Sequence, residues 1–471
     1  MTQHPFRELL RGLSIVTVAQ LVIALRSIIL IPLLVRTFSL EDFGEWAQYG
    51  VTLSLLAPAL ALGLPAAMGR FLASATPDAA ARGTWSAVAL IGSLAAVLGG
   101  VGVLLRVPLA HLLHTSPALL GLFVWVVGLE ALNLVMLSVW RGRLQMRAYA
   151  VTALLLFAGE VGLVSMAALA GRGLTGAMTA LLVVRVAGTL GLAVAVARTL
   201  PIRRPEPALL RAYLAFGLPT VLSGLAYWSV QSSDRYLIAA YLGLAAVGQY
   251  TPAYALGSAL NMLIVPFALV LTPTIAKYHD AGEAEAVRTT LVRGLQLFLL
   301  VGVGASLGAA LLAHDVLTVF ASPAIADAAS AVTPFVLVST VLYGAGTLVV
   351  QILFMHHRTR FVAMVWAGAA VLNLGLNLVL IPRMGLVGAA AATLLAFTGA
   401  VTALWLGARR LLTLTIGTRF SVVLTMGAVL MAVVAEGSRA AGVPAIAAVG
   451  AGFLLSSALV FVLLRGRLAL S

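Results

Sequence analysis

Long apolar runs constrain this chain more than any motif in it. Stretches of about twenty apolar residues recur from residue 12 to residue 464, separated by short polar or basic connections. An α-helix rises about 1.5 Å per residue, so about 20 such residues cross the hydrocarbon core of a bilayer. Spans are expected near 12–36, 45–69, 84–105, 118–140, 149–171 and 174–197. Others follow near 212–242, 246–274, 290–313, 330–354, 361–381, 385–407, 420–437 and 443–464. Lipid offers backbone amides no partner, which leaves helices or a closed barrel, and a barrel needs roughly ten-residue segments of alternating polarity. Only 9% of the residues are charged, 62% are hydrophobic and the mean hydropathy is +1.09. Soluble domains carry about 25% charge, and no soluble fold of this length could bury so much apolar surface. The expected fold is an all-α polytopic membrane protein of about fourteen transmembrane helices.

The basic residues test that count. With the N-terminus in the cytoplasm, cytoplasmic segments receive Arg7 and Arg11, Arg70 and Arg82, Arg141, Arg143 and Arg147, and Arg198, Arg203, Arg204 and Arg211. They continue with Lys277, Arg288, Arg293, Arg358, Arg360, Arg409, Arg410, Arg419, Arg465 and Arg467. That places 21 of the 29 basic residues on one side and six on the other, with Arg26 and Arg185 inside spans. Such asymmetry is the positive-inside pattern, and a single missed span would scramble it downstream. Both termini are therefore expected in the cytoplasm. The net charge of +14 belongs to this topology, because the cations are dispersed between apolar runs rather than gathered into a nucleic-acid footprint. The chain has no cysteine, which excludes disulfides, thiolate metal sites and thiol catalysis. Its first apolar run carries Arg26 and no small-residue cleavage pattern, as expected of a retained helix rather than a signal peptide.

A polar stretch from Thr199 to Arg211 divides the first six spans from the rest. The expected organisation is a six-helix bundle over 1–198, a cytoplasmic linker over 199–211, a second six-helix bundle over 212–408, and two additional helices with a tail over 409–471. FSLEDFGEWA and YLGLAAVGQYTPAYAL occupy corresponding connections of the two halves. Leu40, Gly44 and Trp46 match Leu244, Gly248 and Tyr250, each 204 residues on. Halves with an even number of spans would be parallel repeats, with a substrate site between them.

Those segments also resemble a known family. RTFSLEDFGEWA after span one, GLPAAMGRFLASA at the end of span two and SSDRYLIAAYLGLAAVGQYTPAYAL across spans seven and eight are similar, in order and spacing, to the Wzx-like polysaccharide flippases of the MATE-like exporter (MOP) superfamily. The resemblance covers essentially the whole chain. It implies two six-helix bundles around a polar, cationic cavity. It also implies transfer of a polyprenyl-diphosphate-linked oligosaccharide from the cytoplasmic to the outer leaflet of a bacterial inner membrane. The implied partners are that sugar lipid, membrane lipids, and a polysaccharide polymerase or export machinery; no cofactor and no nucleic acid is implied.

Four ionisable residues fall near span centres: Arg26, Glu130, Glu160 and Arg185. Each costs roughly 2.5–3.5 kcal/mol at a helix centre, so none should face lipid. All four belong to the first half, which makes that bundle's interior the expected polar site. Two readings stand: neutralising buried pairs, or arginines that meet a diphosphate with a glutamate as counter-ion or proton carrier. Arginine suits the second, because its planar fork binds phosphate bidentately and stays charged. Arg70 closes span two where a head group would arrive, or simply sets topology. Gln231, Asp234 and Arg235 lie towards the outer end of span seven and join the candidate cavity, or pair locally at the interface. Gln20, Asn133, Asn261, Gln351, Asn373 and Asn377 line a cavity or bind neighbouring helices. Pro32, Pro58, Pro65, Pro219 and Pro266 mark bends.

The sequence has no Walker loop, H-E-x-x-H or nucleophile elbow. Loop histidines (His111, His114, His356, His357) are expected to be solvated. The chain is thus expected to be a transporter and not an enzyme, with any uphill step driven by an ion gradient or by downstream consumption. A lipid II flippase and an ion-coupled drug or metabolite antiporter of the same superfamily are the alternatives.

Overall fold

The computed structural model describes Val22, residues 25–113 and residues 115–464, and every regular element among them is an α-helix. Arg7, Arg11, Gln20 and the first part of span one lie outside the described residues, as do His114 and the tail with Arg465 and Arg467. The chain forms two compact units, Met1–Trp228 and Ser229–Ser471.

The first unit holds α1 (25–37), α2 (Leu40–Leu60), α3 (Leu64–Phe71), α4 (Pro77–Leu104), α5 (Arg106–Leu113), α6 (Pro117–Gly142), α7 (Met146–Leu169) and α8 (Gly173–Thr199). Most of α9 (Pro207–Ser232) also belongs to it. Local chemistry starts these helices. Ser39 Oγ accepts from the amide of Asp42 and donates to its carboxylate at 2.7 Å. Thr76 and Ser116 accept from the amides of Ala79 and Ala118, each followed by a proline whose missing N–H costs a first helical turn nothing. The core is built on α6. Of its most apolar stretch 61% is buried, against 22–28% for α4, α7 and α8, whose outward faces are left to lipid.

Span two is broken: α2 and α3 meet at 50°. The break places Leu62 (φ 53°) and Gly63 (φ 70°) in the left-handed region. The bend lies on α9, where a Cβ at Gly63 would stand 2.1 Å from the carbonyl oxygen of Gly217. A left-handed leucine costs of order 1–3 kcal/mol, which the surrounding packing must over-determine. Leu64, Ala67 and Met68 beside it are fully buried.

The second unit holds α10 (Asp234–Leu242), α11 (Leu244–Ser258), α12 (Asn261–Asp280), α13 (Ala284–Leu311), α14 (Ala313–Phe320), α15 (Pro323–Ala329), α16 (Val332–Met355), α17 (Thr359–Ala408), α18 (Thr418–Ala440) and α19 (Ala445–Leu464). Its centre is α16, 67% buried over its most apolar stretch. The fifty-residue α17 turns at Gly385 (φ 59°, ψ −138°), so its two arms are the spans expected at 361–381 and 385–407. Asn373 on one arm donates to Thr393 Oγ1 on the other at 3.4 Å and accepts from Asn377 at 3.0 Å. The Asn373–Thr393 bond joins the two arms, and Asn377 supports Asn373 from within its own arm.

Features recur between the units. Leu40 and Leu244, matched by the 204-residue echo, are the first residues of α2 and α11, and Gly44 and Gly248 are buried in each. The two most buried helices, α6 and α16, are the fourth and tenth expected spans. Among the described residues nine helices are long and apolar enough to cross a bilayer, or ten with α2 and α3 taken as one broken span, and α17 is counted once in that tally.

Candidate functional site

The four midspan charges of the first unit form one connected chain. Arg26 on α1 donates from Nη1 to Glu160 Oε1 at 3.1 Å. The other oxygen of Glu160, on α7, accepts from Arg185 Nη2 at 2.8 Å. Arg185, on α8, in turn stands with its Nε 2.6 Å from Glu130 Oε2 on α6. That last contact is an ion pair by distance, with the N–H not aligned on the oxygen. Four helices are therefore tied by the order Arg26, Glu160, Arg185, Glu130, with two charges of each sign. Apolar surroundings make an unpaired charge here cost several kcal/mol, and alternation along the chain leaves none.

Exposure separates the members. The side chains of Arg185 and Glu160 are 5% and 9% exposed and that of Glu130 25%, whereas Arg26 is 48% exposed. The inner pair is closed, and the outermost arginine is the most exposed of the four. Its position at the end of the chain follows from the order of helices, because α1 contributes no second acid to neutralise it. Around Arg185 the carbonyl oxygen is also used. It accepts from Thr189 Oγ1 at 2.8 Å and from Asn133 Nδ2 at 3.4 Å, and Thr189 bonds Asn133 Oδ1 at 2.9 Å. Asn133 is thereby a partner that steadies α6 against α8.

In the second unit Asp234 and Arg235 are buried, with Asp234 fully enclosed. They do not form a pair on the helix surface at the interface. Arg235 Nη1 donates to Asp234 Oδ1 at 3.2 Å and to the Gln231 carbonyl at 3.0 Å. Tyr250 donates to Asp234 Oδ2 at 2.6 Å and Tyr254 to Gln231 Oε1 at 3.2 Å. The guanidinium lies 4.1 Å from the centroid of the Tyr254 ring and 5.5 Å from that of Tyr250. Cation–π contact and three charge-assisted bonds close this cluster around the start of α10. The two tyrosines are the members that inspection of midspan charges misses. Their signal was in the sequence, since Tyr250 is the echo of Trp46 and both lie in the QYTPAY segment.

Arg70 is exposed in the last turn of α3. A further polar group joins α2 to the start of α6: Thr115 donates to Glu45, and Tyr49 shares a hydrogen bond with Thr115 at 2.6 Å. No set of three or more metal-ligating side chains occurs among the described residues.

Long apolar helices, with one buried central helix in each unit, define a polytopic membrane protein among the described residues. The structure superposes on the inward-closed lipid II flippase MurJ with a TM-score of 0.76 at 11% identity, covering 96% of this chain and 99% of that one. It superposes on an inward-facing multidrug resistance MATE family transporter of the MOP superfamily with a TM-score of 0.68 at 16% identity, covering 87% and 99%. The chain belongs to the polysaccharide biosynthesis protein family, whose pattern matches residues 9–279, and the MatE pattern matches residues 219–379. Over 182 residues it is 28% identical to the probable flippase AglR of Haloferax volcanii. That stretch spans 38% of this chain and 37% of the relative's length.

Proposed function

We propose that this protein is a flippase. It carries a polyprenyl-diphosphate-linked oligosaccharide (an O-antigen, capsule or exopolysaccharide repeat unit) from the cytoplasmic to the outer leaflet of a bacterial inner membrane by alternating access. Both termini are cytoplasmic in this reading, as the arginine asymmetry requires. The six-helix halves are 1–198 and 212–408, joined by the linker 199–211 and followed by two helices and a tail over 409–471. Membership of the polysaccharide biosynthesis family supports it, as does the similarity to proteins described as flippases.

The observation that carries the reading is Arg26, a guanidinium in the first expected span with half its side chain open and, among the described residues, one oxygen of a shared carboxylate as its ion-pair partner. A diphosphate offers oxygens in the geometry that the guanidinium fork matches, and it competes with Glu160 for the open side. Glu160 then retains Arg185, so the exchange strands no buried charge. Arg185 and Glu130 hold the inner end; Gln231, Asp234 and Arg235 contribute a second polar cluster from span seven.

Deletion in the native host, with mass analysis of the polyprenyl-linked sugars that accumulate, tests the reading and identifies the sugar. Complementation then tests the residue. Arg26→Lys keeps the charge and loses the fork, so it should lower the flipping rate about tenfold at normal protein level. Full complementation by Arg26→Ala at normal level would remove Arg26 from the site. The likeness to MurJ over 96% of the chain favours lipid II as the alternative cargo, which the same mass analysis would reveal.

A further inference from the structure

The rings of two histidines from different helices meet in the second unit. His279 lies in the last turn of α12, and His356 directly follows α16. Their centroids are 5.7 Å apart, with the ring planes inclined at 54°. Both follow even-numbered expected spans, the eighth and the tenth, so the span count places them on one side of the membrane.

Backbone capping fixes both positions. At the end of α12 the Glu283 amide donates to the Tyr278 carbonyl at 2.9 Å and the Gly282 amide to the His279 carbonyl at 3.0 Å, with Gly282 left-handed (φ 75°). At the end of α16 the Arg358 amide donates to the Leu353 carbonyl at 2.8 Å and the His357 amide to the Phe354 carbonyl at 3.0 Å, with His357 left-handed (φ 56°). This is the paired bonding of a Schellman motif, made twice. Each histidine is therefore carried on a terminated, internally bonded helix end rather than on an open loop.

The chemistry of the pair is that of ligands. His356 Nδ1 stands 2.9 Å from the Ile352 carbonyl oxygen. A carbonyl only accepts, so Nδ1 carries the proton and the neutral ring keeps its lone pair on Nε2. Metal-ligating imidazoles are commonly held this way, with the other nitrogen donating to a backbone carbonyl. A zinc–nitrogen bond is about 2.0–2.1 Å, which puts two imidazoles on one tetrahedral ion at a centroid separation of about 5 Å. The observed 5.7 Å exceeds that by less than about 1 Å, within reach of side-chain rotation. Helix C-termini also carry the negative ends of their dipoles, so two of them side by side favour a cation.

We propose that His279 and His356 form a binding site for a borderline divalent transition-metal ion, typified by zinc, that bridges the ends of α12 and α16. Imidazole nitrogens select zinc, nickel or copper over magnesium and calcium, which take oxygen ligands. Among the described residues no third histidine or carboxylate completes the set. Water therefore fills the remaining positions, and the ion exchanges as it would not in a closed structural site. When bound, it ties α12 to the turn that leads into α17. The site stands independently of the cargo that the protein carries.

The test is isothermal titration of tag-free, full-length protein in detergent with zinc chloride, and with magnesium chloride as the hard-ion control. The wild type should bind zinc and not magnesium. His279→Ala and His356→Ala should each weaken zinc binding about tenfold or more, and the double variant should add little, because the first change already breaks the chelate. His279→Phe keeps a ring against His356 but offers no nitrogen, so it should lose zinc as His279→Ala does. It also separates ligation from ring contact and serves if the alanine variants do not fold. His357→Gly, which suits the left-handed position, should bind zinc as the wild type does. A wild type that binds no zinc, zinc retained by His279→Phe, or losses that add in the double variant as separate imidazoles would, overturns the proposal.

Discussion

Replacing Glu160 by Gln removes one charge from the centre of the Arg26–Glu160–Arg185–Glu130 chain while keeping its shape. Removing one partner of a buried pair commonly costs about 3–5 kcal/mol, most of it the penalty of the charge left behind. Two features lower that here. Arg185 keeps Glu130 at 2.6 Å, and Arg26, the other orphan, is half open. The expected loss is therefore about 2–3 kcal/mol. Arg185→Gln should cost more, about 3–5 kcal/mol, because Glu130 loses its cation and Glu160 falls back on Arg26 alone. The double variant removes one charge of each sign from the closed inner pair and leaves the two more exposed members, Arg26 and Glu130. It should be more stable than the sum of the single changes by about 1–3 kcal/mol. The assay is the fraction of monodisperse protein surviving a heating series in detergent, compared as an order because such unfolding is governed by rates. Additive losses would refute the paired network. Unchanged yield for Glu160→Gln with transport made insensitive to an imposed pH gradient would instead assign Glu160 to proton transfer.

Three other outcomes are expected. Reporters fused after Arg143 and after Arg204 should read cytoplasmic and one near Asp327 external; a cytoplasmic reading near Asp327 would mean an odd error in the span count upstream. Gly63→Ala should lower the folded yield sharply, by about 3 kcal/mol or more, since it adds a left-handed alanine and a Cβ 2.1 Å from the Gly217 oxygen; normal thermal stability would show that the break in span two is free to relax. Outside the membrane, hydrogen bonds from Arg203 and Arg82 hold the Asp78 carboxyl below the usual carboxylate range. A lowered folded-state pKa means that the linker contact is present at neutral pH and is lost as pH falls through it, below about pH 4. Protection of the amides at residues 200–206, taken relative to the intrinsic exchange rate at each pH, should then be lower at pH 3 than at pH 7, whereas equal protection at pH 3 and pH 7 would show that Asp78 does not tether the linker.

Much of this protein was legible without coordinates. The 1.5 Å rise and the bilayer thickness convert apolar run length into spans. The helices at Pro77–Leu104, Pro117–Gly142, Met146–Leu169 and Gly173–Thr199 fall on the spans expected there. Helix starts were local too, since Ser39, Thr76 and Ser116 cap with their own hydroxyls. That Arg26, Glu130, Glu160 and Arg185 need partners followed from desolvation cost alone, and the structure pairs them with one another.

Tertiary structure alone decided who pairs with whom. Depth along a span is readable from position in a run, but azimuth depends on how neighbouring helices pack, and that set Glu160 between two arginines. It also left Arg26 at the open end. Burial of Asp234 and Arg235 likewise depended on Tyr250 and Tyr254, whose rings arrive from another helix. The break of span two at Leu62–Gly63 could not be read from its apolar run, because hydropathy is blind to φ and the bend rests on a backbone contact with Gly217, more than 150 residues away. Sequence determined which residues must be hidden from lipid, because that is a property of each side chain; the fold decided what hides them, because that is a property of pairs.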